Sequence, residues 1–162
     1  MTAKDVLRQS LEMSYMVAGA YIADLNEADF VVRSVPGANH IAWQLGHLIA
    51  STRHMLLALG REAPALPEGF EAAHSREMAG SDDRAKFAPK AEYQRLMDQM
   101  KAASLAVIDA TPESALDKPG PEAMREYAPT VCSVLLLLGS HWLMHSGQFV
   151  PIRRKLGRPP LF

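Results

Sequence analysis

A single cysteine, Cys132, leaves the 162-residue chain no internal disulfide. Its stability must come from a packed core, and such cysteine usage suits a reducing cytoplasm. Excess charge is also lacking. Seventeen basic residues against 18 acidic ones give a formal net charge of −1, which offers no field for drawing in nucleic acid or an anionic membrane. Long hydrophobic runs are missing too. The most apolar stretch, Val131 to Leu138 (VCSVLLLL), falls far short of the ~20 residues that a bilayer span needs. The opening MTAKDVLRQSLEMSY has neither the apolar segment nor the small-residue cleavage site of a secretory signal. No P-loop, GxGxxG or GxSxG occurs. These absences lead to the expectation of a cytoplasmic globular protein with no nucleic-acid or membrane partner.

What is present is ordinary globular composition, 48% hydrophobic and 22% charged, in a length that suits one domain over residues 1–162. Four segments carry helical periodicity, and nothing alternates convincingly as strand. The first runs from about Ala3 to Leu25, with Leu7, Leu11, Tyr15, Ala18, Ile22 and Leu25 on one stripe. The second is expected from Asn39, a candidate N-cap, to Leu59, with Gly60 as its stop. Its stripe is Ile41, Leu45, Leu48, Met55 and Leu59. The third begins at Pro89 and ends before Thr111, with Tyr93, Leu96, Met100 and Val107 on one face. The fourth follows Thr130, a candidate N-cap, and ends near Leu156, with Gly157 and Pro159-Pro160 beyond it.

The segments 61–88 and 112–129 are long for bundle loops, and the first has room for a short helix around Glu68–Met78. The predicted fold class is therefore all-α, a four-helix bundle with long crossover connections.

The chemistry concentrates in the histidines. In the fourth helix a heptad count gives Val131, Leu135, Leu138, Trp142, His145, Phe149, Ile152 and Leu156 as the core seam. His145 thus takes a position that its neighbours fill with large apolar groups. His141, one turn earlier, lies on nearly the same face, so the two imidazoles of HWLMH can converge on one point. A third ligand has three candidates in the second helix. His40, His47 and His54 repeat every seven residues along one strip, with Gln44 and Ser51 nearby. Successive members stand about 10 Å apart, so one alone reaches a given ion. His47 sits mid-helix, as His141 and His145 do, and is the candidate that needs no axial offset. The competing reading makes these residues hydrogen-bonded core imidazoles beside a solvated strip, and from the residues alone both readings stay open. Two buried histidines without a shared partner would, however, carry unsatisfied nitrogens at about 1–3 kcal/mol each.

Other residues read more simply. His74 falls in a loop and is expected at the surface. Cys132, nine residues before His141, lies on the opposite side of its helix and reads as a buried structural thiol. Arg153, Arg154, Lys155 and Arg158 cluster where a helix dipole favours cations, a capping role ahead of an anion site. Pro151 is expected to kink the fourth helix.

Two blocks, NHIAWQLGHLIA (39–50) and HWLMHSGQFVPIRRKLGRPP (141–160), resemble the DinB-like family of metal-dependent proteins. Its N-x-x-W-x-x-x-H motif is matched by Asn39, Trp43 and His47, with one residue more between Asn39 and Trp43. Its H-x-x-x-H-x-G-Q motif is matched by His141, His145, Gly147 and Gln148. The R-R-x-L-G-x-P that follows is matched by Arg153, Arg154, Leu156, Gly157 and Pro159. The resemblance implies a four-helix fold with an open site of His47, His141 and His145 holding a divalent metal, nickel or zinc. Trp43 and Gln148 would serve as neighbours that orient ligand, substrate or water. It also implies relatives that act as S-transferases or isomerases on a low-molecular-weight thiol such as bacillithiol, mycothiol or glutathione.

The expected function is that of a metal-dependent thiol S-transferase with a small-molecule substrate, and a homodimer is the assembly to test for. The alternatives are a non-catalytic, stress-associated bundle stapled by a structural ion, and a plain bundle acting through protein contacts. No acidic residue flanks the triad in sequence, so no general base is named.

Overall fold

The computed structural model describes residues 1–159 and 161–162; Pro160, expected just beyond the last helix, lies outside the described residues. The helices are α1 (Ala3–Ala23), α2 (Ile41–Ala58), the short α3 (Phe70–Ala73), α4 (Lys90–Ala110) and α5 (Val131–Lys155). The short helix expected around Glu68–Met78 appears as α3 followed by a 3₁₀ segment, Arg76–Gly80.

Local chemistry sets the boundaries. A capping box starts α1, with Thr2 accepting from the Asp5 N–H and Asp5 accepting in return from the Thr2 N–H. Thr130 caps α5 by accepting from the Ser133 N–H. Both α2 and α5 end in a left-handed glycine. Gly60 (φ 69°) and Gly157 (φ 71°) let the last carbonyls take the paired bonds Arg61 N–H to Leu56 O and Arg158 N–H to Arg153 O. One expected cap is corrected. Asn39 does not cap α2; His40 does, its Nδ1 accepting from the Trp43 N–H at 3.1 Å. The helix continues through Pro151, whose ring is exposed, as far as Lys155.

Cross-helix pairs give the directions. Leu11 meets Gly139, Tyr15 meets Trp142 and Tyr21 meets Arg153, so α1 and α5 run parallel. Gln44 with His145 and Thr52 with Trp142 set α2 antiparallel to α5. Arg8 with Asp109 and Ala23 with Lys90 set α4 antiparallel to α1. Around the bundle, α1 neighbours α5 and α4, and α2 neighbours the same two. It follows that α2 and α4 are parallel neighbours, and the chain between them must travel back the length of the bundle. That return is why residues 59–89 form so long a connection.

The expected stripes are the core. Leu7, Leu11, Tyr15, Ala18, Ile22 and Leu25 are all buried, as are Tyr93, Leu96, Met100 and Val107. On α5 the seam from Leu135 to Ile152 is buried, and Gly139 lets the α1 backbone approach, since a Cβ there would stand 3.0 Å from Leu11 Cα. Cys132 is half-buried, more open than the structural thiol expected. The basic cluster does not cap its own helix alone. Arg153, 1% exposed, donates to Tyr21 O and pairs with Asp24 at the end of α1. Lys90 donates to Ala23 O and Leu25 O. The carbonyls that α1 leaves unpaired at its C-terminus are thus met by cations from two neighbouring helices. None of the described helices is long and apolar enough to cross a membrane.

Candidate metal centre

The antiparallel register of α2 and α5 brings three imidazoles together. His47, His141 and His145 each offer a nitrogen, and these nitrogens lie within 4.8 Å of one another. Ring centroids are 5.2 Å apart for His47 with either partner and 4.9 Å for His141 with His145. Of the three histidines spaced along α2, His47 alone takes part. His40 is fully buried at the helix start, its Nε2 donating to Ser81 O at 2.9 Å, so its two nitrogens are occupied by backbone. His54 is exposed and pairs with Glu71 at 3.1 Å. The strip read as a solvated face is therefore buried at His40 and Gln44 and open only towards His54.

Two hydrogen bonds pin the register. Trp142 Nε1 donates to Thr52 Oγ1 at 2.9 Å within the core. His145 Nδ1 meets Gln44 Oε1, also at 2.9 Å and buried. The second bond decides the chemistry of His145. Gln44 Nε2 donates to Asn39 O at 2.7 Å, which fixes the amide so that its oxygen faces the imidazole. His145 Nδ1 must then carry the proton, leaving the Nε2 lone pair for another partner. The sequence puts Gln44 beside the histidine strip without marking a role for it. Its one signal there is position, one turn before His47.

The two residues expected as neighbours of the site differ. Trp43 is in place, stacked on His47 with planes 3° apart and centroids 5.2 Å apart, and its Nε1 donates to Ser75 O at 2.8 Å. Gln148 is exposed and makes no hydrogen bond to the three imidazoles. It lies one turn beyond His145 on nearly the same face, while the amide that reaches His145 comes from α2.

His74 corrects the expectation of a surface residue. It is buried, its Nδ1 donating to Phe70 O at 2.7 Å and its Nε2 accepting from the Tyr93 hydroxyl at 2.6 Å. It packs directly against Gly46, the residue before His47.

The donor set suits a divalent cation. Burial depresses all three imidazoles, and mutual repulsion adds to it at His141 and His145, which fall to about 4 from an ordinary value of 6.5. The centre is therefore neutral near pH 7, with no carboxylate hydrogen-bonded to it among the described residues, and it could hold a metal. His47 and His141 also line a cleft of about 550 Å³ between α2, α5 and the 111–130 connection, so one side of the centre is open.

The same depression predicts how the metal-free protein responds to acid. Below pH 6.5 the unfolded chain takes up protons that His141 and His145 refuse until about pH 4. Stability is full above 6.5 and falls as the pH drops to about 4, by ~1.4 kcal/mol per unit of depression for each group before solvent screening. Denaturant melts in chelator at pH 7.5, 6 and 5 measure it. His141→Asn and His145→Asn should flatten the slope, and an unchanged slope in both would show that the acid sensitivity lies elsewhere.

Residues 10–149 match the sequence profile of the DinB superfamily, and the chain belongs to that superfamily. A solved structure of a conserved protein from Enterococcus faecalis superposes with a TM-score of 0.73 over 98% of this chain and 99% of that one. Its 17% identity extends the likeness to the fold alone. Among proteins with curated descriptions, none matches the chain.

Proposed function

We propose that His47, His141 and His145 hold a divalent ion, nickel or zinc, and that the protein is a metal-dependent enzyme transferring a small thiol to an organic electrophile. The observation that carries this reading is the open side of the centre. Of three neutral imidazoles from two helices, His47 and His141 face a cleft large enough for a small molecule, whereas a structural zinc is usually closed by four protein ligands.

A divalent ion in such a site lowers the pKa of a bound thiol or water, so that the nucleophile exists near neutral pH. The chain supplies the rest. Gln44 holds His145 in the tautomer that presents Nε2, and Trp43 holds the plane of His47. The apolar cleft walls keep the electrophile beside the nucleophile. In the transfer the thiol gives its proton to solvent. Its sulfur then forms a bond to the electrophilic carbon, and the leaving group departs with the electron pair of the bond that breaks. A general base is not needed once the thiol is ionised, which accords with a centre that has no carboxylate partner.

The test uses untagged protein, its metal content and conjugation of an electrophile panel with several thiols. One ion per chain and turnover that disappears on chelation are expected. A tightly held ion with no turnover across the panel would favour the non-catalytic reading, in which the ion staples the bundle. Absence of any ion would leave a plain helical bundle acting through protein contacts.

A further inference from the structure

The geometry points to the class of molecule the cleft takes, an uncharged, largely apolar compound about 10 Å long with one hydrogen-bonding group at its outer end; calling that compound the substrate rests on the metal-centre reading above. The cleft is two-sided. Along α2, His47, Ser51 and His54 form a polar edge that runs from the imidazole cluster to the rim, a length of about 10 Å at helical rise. The facing surfaces are apolar, built by Met55 of α2, Met124 of the 111–130 connection and Leu137 of α5, with Tyr127 exposed at the mouth.

No Lys, Arg, Asp or Glu lines the cleft among the described residues. The acid and base beside His54 are already committed. Glu71 lies against His54 and Arg53, and Arg53 also donates to Pro64 O. A carboxylate, phosphate or sulfonate lying along the walls, away from an ion at the imidazoles, would lose its hydration and meet no counter-charge there, a penalty no apolar contact offsets. A neutral body loses nothing polar and gains burial against two methionines and a leucine, side chains that adapt to varied shapes. At the outer end the His54 imidazole, fixed by Glu71 and 62% exposed in its side chain, can bond a hydroxyl, amide or ether without being fully desolvated. Substrate choice would therefore be set by the connection before α5 and by α2, and any charged part of a thiol cosubstrate, apart from the sulfur at the ion, must stay outside the cleft.

Two fluorescent probes of one skeleton test this, neutral N-phenyl-1-naphthylamine and its anionic counterpart 8-anilino-1-naphthalenesulfonate. Each is titrated into protein freed of metal by chelator and, in parallel, into zinc-loaded protein, and zinc is measured on the same samples. In the metal-free protein the neutral probe should bind at least about tenfold more tightly, because the sulfonate is buried against apolar walls without a partner; a bound ion would narrow that gap by drawing the sulfonate to the imidazole end. Ala123→Trp and Ala58→Trp, both at exposed lining positions, should each weaken the neutral probe by about tenfold or more through filling the space. Leu137→Lys should raise affinity for the anionic probe. Equal or tighter binding of the sulfonate by the metal-free parent protein, or neutral-probe binding that ignores both tryptophans, overturns the proposal. Loss of zinc with the probe preference intact overturns the metal-centre function instead, leaving the selectivity of the cleft standing.

Discussion

Replacing His145 with alanine should cost the protein its metal, as should His47→Ala and His141→Ala. Each removes one of three donors whose nitrogens lie within 4.8 Å, and two imidazoles hold an ion poorly against water. A loss of affinity well beyond about a hundredfold is expected, above the 10–100-fold typical of residues that only support a ligand. Gln44→Ala should fall within that lower range. It frees the His145 ring to rotate and change tautomer, while leaving three donors in place. His54→Ala should stay within a few-fold of the parent, since the side chain is exposed and turned to Glu71. His40→Ala should also keep the metal but lose stability, about 1–2 kcal/mol for the cap on Trp43 N–H and more for the Ser81 bond. Zinc titrations against a competing chelator, with denaturant melts of the same variants, separate these outcomes. Normal binding in His47→Ala with loss in His54→Ala would mean that α2 sits about two turns from the register described.

How much of this the sequence carries depends on whether a residue acts through its own helix or through another. The stripes Leu7–Leu25 and Leu135–Ile152 follow from periodicity, because a helix buries one face whatever it packs against. The meeting of His47 with His141 and His145 was legible for a related reason, as mid-helix residues come level when helices pack along their length. His40 was misread because capping rules favour small oxygen side chains, and an imidazole performing the same task leaves no composition signal.

His74 was misread because its burial depends on Gly46, 28 residues earlier, and on Tyr93, 19 residues later. No local window contains the three. Spacing makes Gln148 legible as a neighbour of His145, whereas the amide that bonds His145 comes across from α2, which no spacing within α5 reveals. The cleft wall was invisible for a similar reason. Met124 and Tyr127 lie in a connection without periodicity, and nothing local says that it folds over the open side of the imidazoles. The basic cluster shows the limit from the other direction. Its position at a helix end suggested capping, but Arg153 serves the carbonyls of α1, a contact 132 residues away in sequence.

Gly46→Ala is the substitution expected to disturb the protein most for the fewest atoms. A Cβ at Gly46 would lie inside the space of the His74 ring. Neither side can yield easily. Gly46 is in the middle of a turn of α2, and His74 is held by Phe70 O, by the Tyr93 hydroxyl and by the rings of Phe70 and Phe87. The added methyl must expel the imidazole, leaving the Tyr93 hydroxyl and Phe70 carbonyl short of partners. Overpacking and the lost bonds together predict a destabilisation of roughly 2–4 kcal/mol.

The damage should also reach the metal. His74 and Ser75 are adjacent, and Ser75 O anchors the indole that stacks on His47, so displacing the crossover loosens one ligand. Zinc affinity is expected to fall by about tenfold, in the range for a supporting residue. A double-mutant cycle isolates the cause. His74→Ala alone should destabilise by about 1–3 kcal/mol through its unpaired neighbours. The pair Gly46→Ala/His74→Ala should be less damaging than the sum, because the space the methyl needs is then vacant. Strict additivity, or a single Gly46→Ala within about 0.5 kcal/mol of the parent, would mean that the ring and the glycine do not share the space that the structure assigns to both.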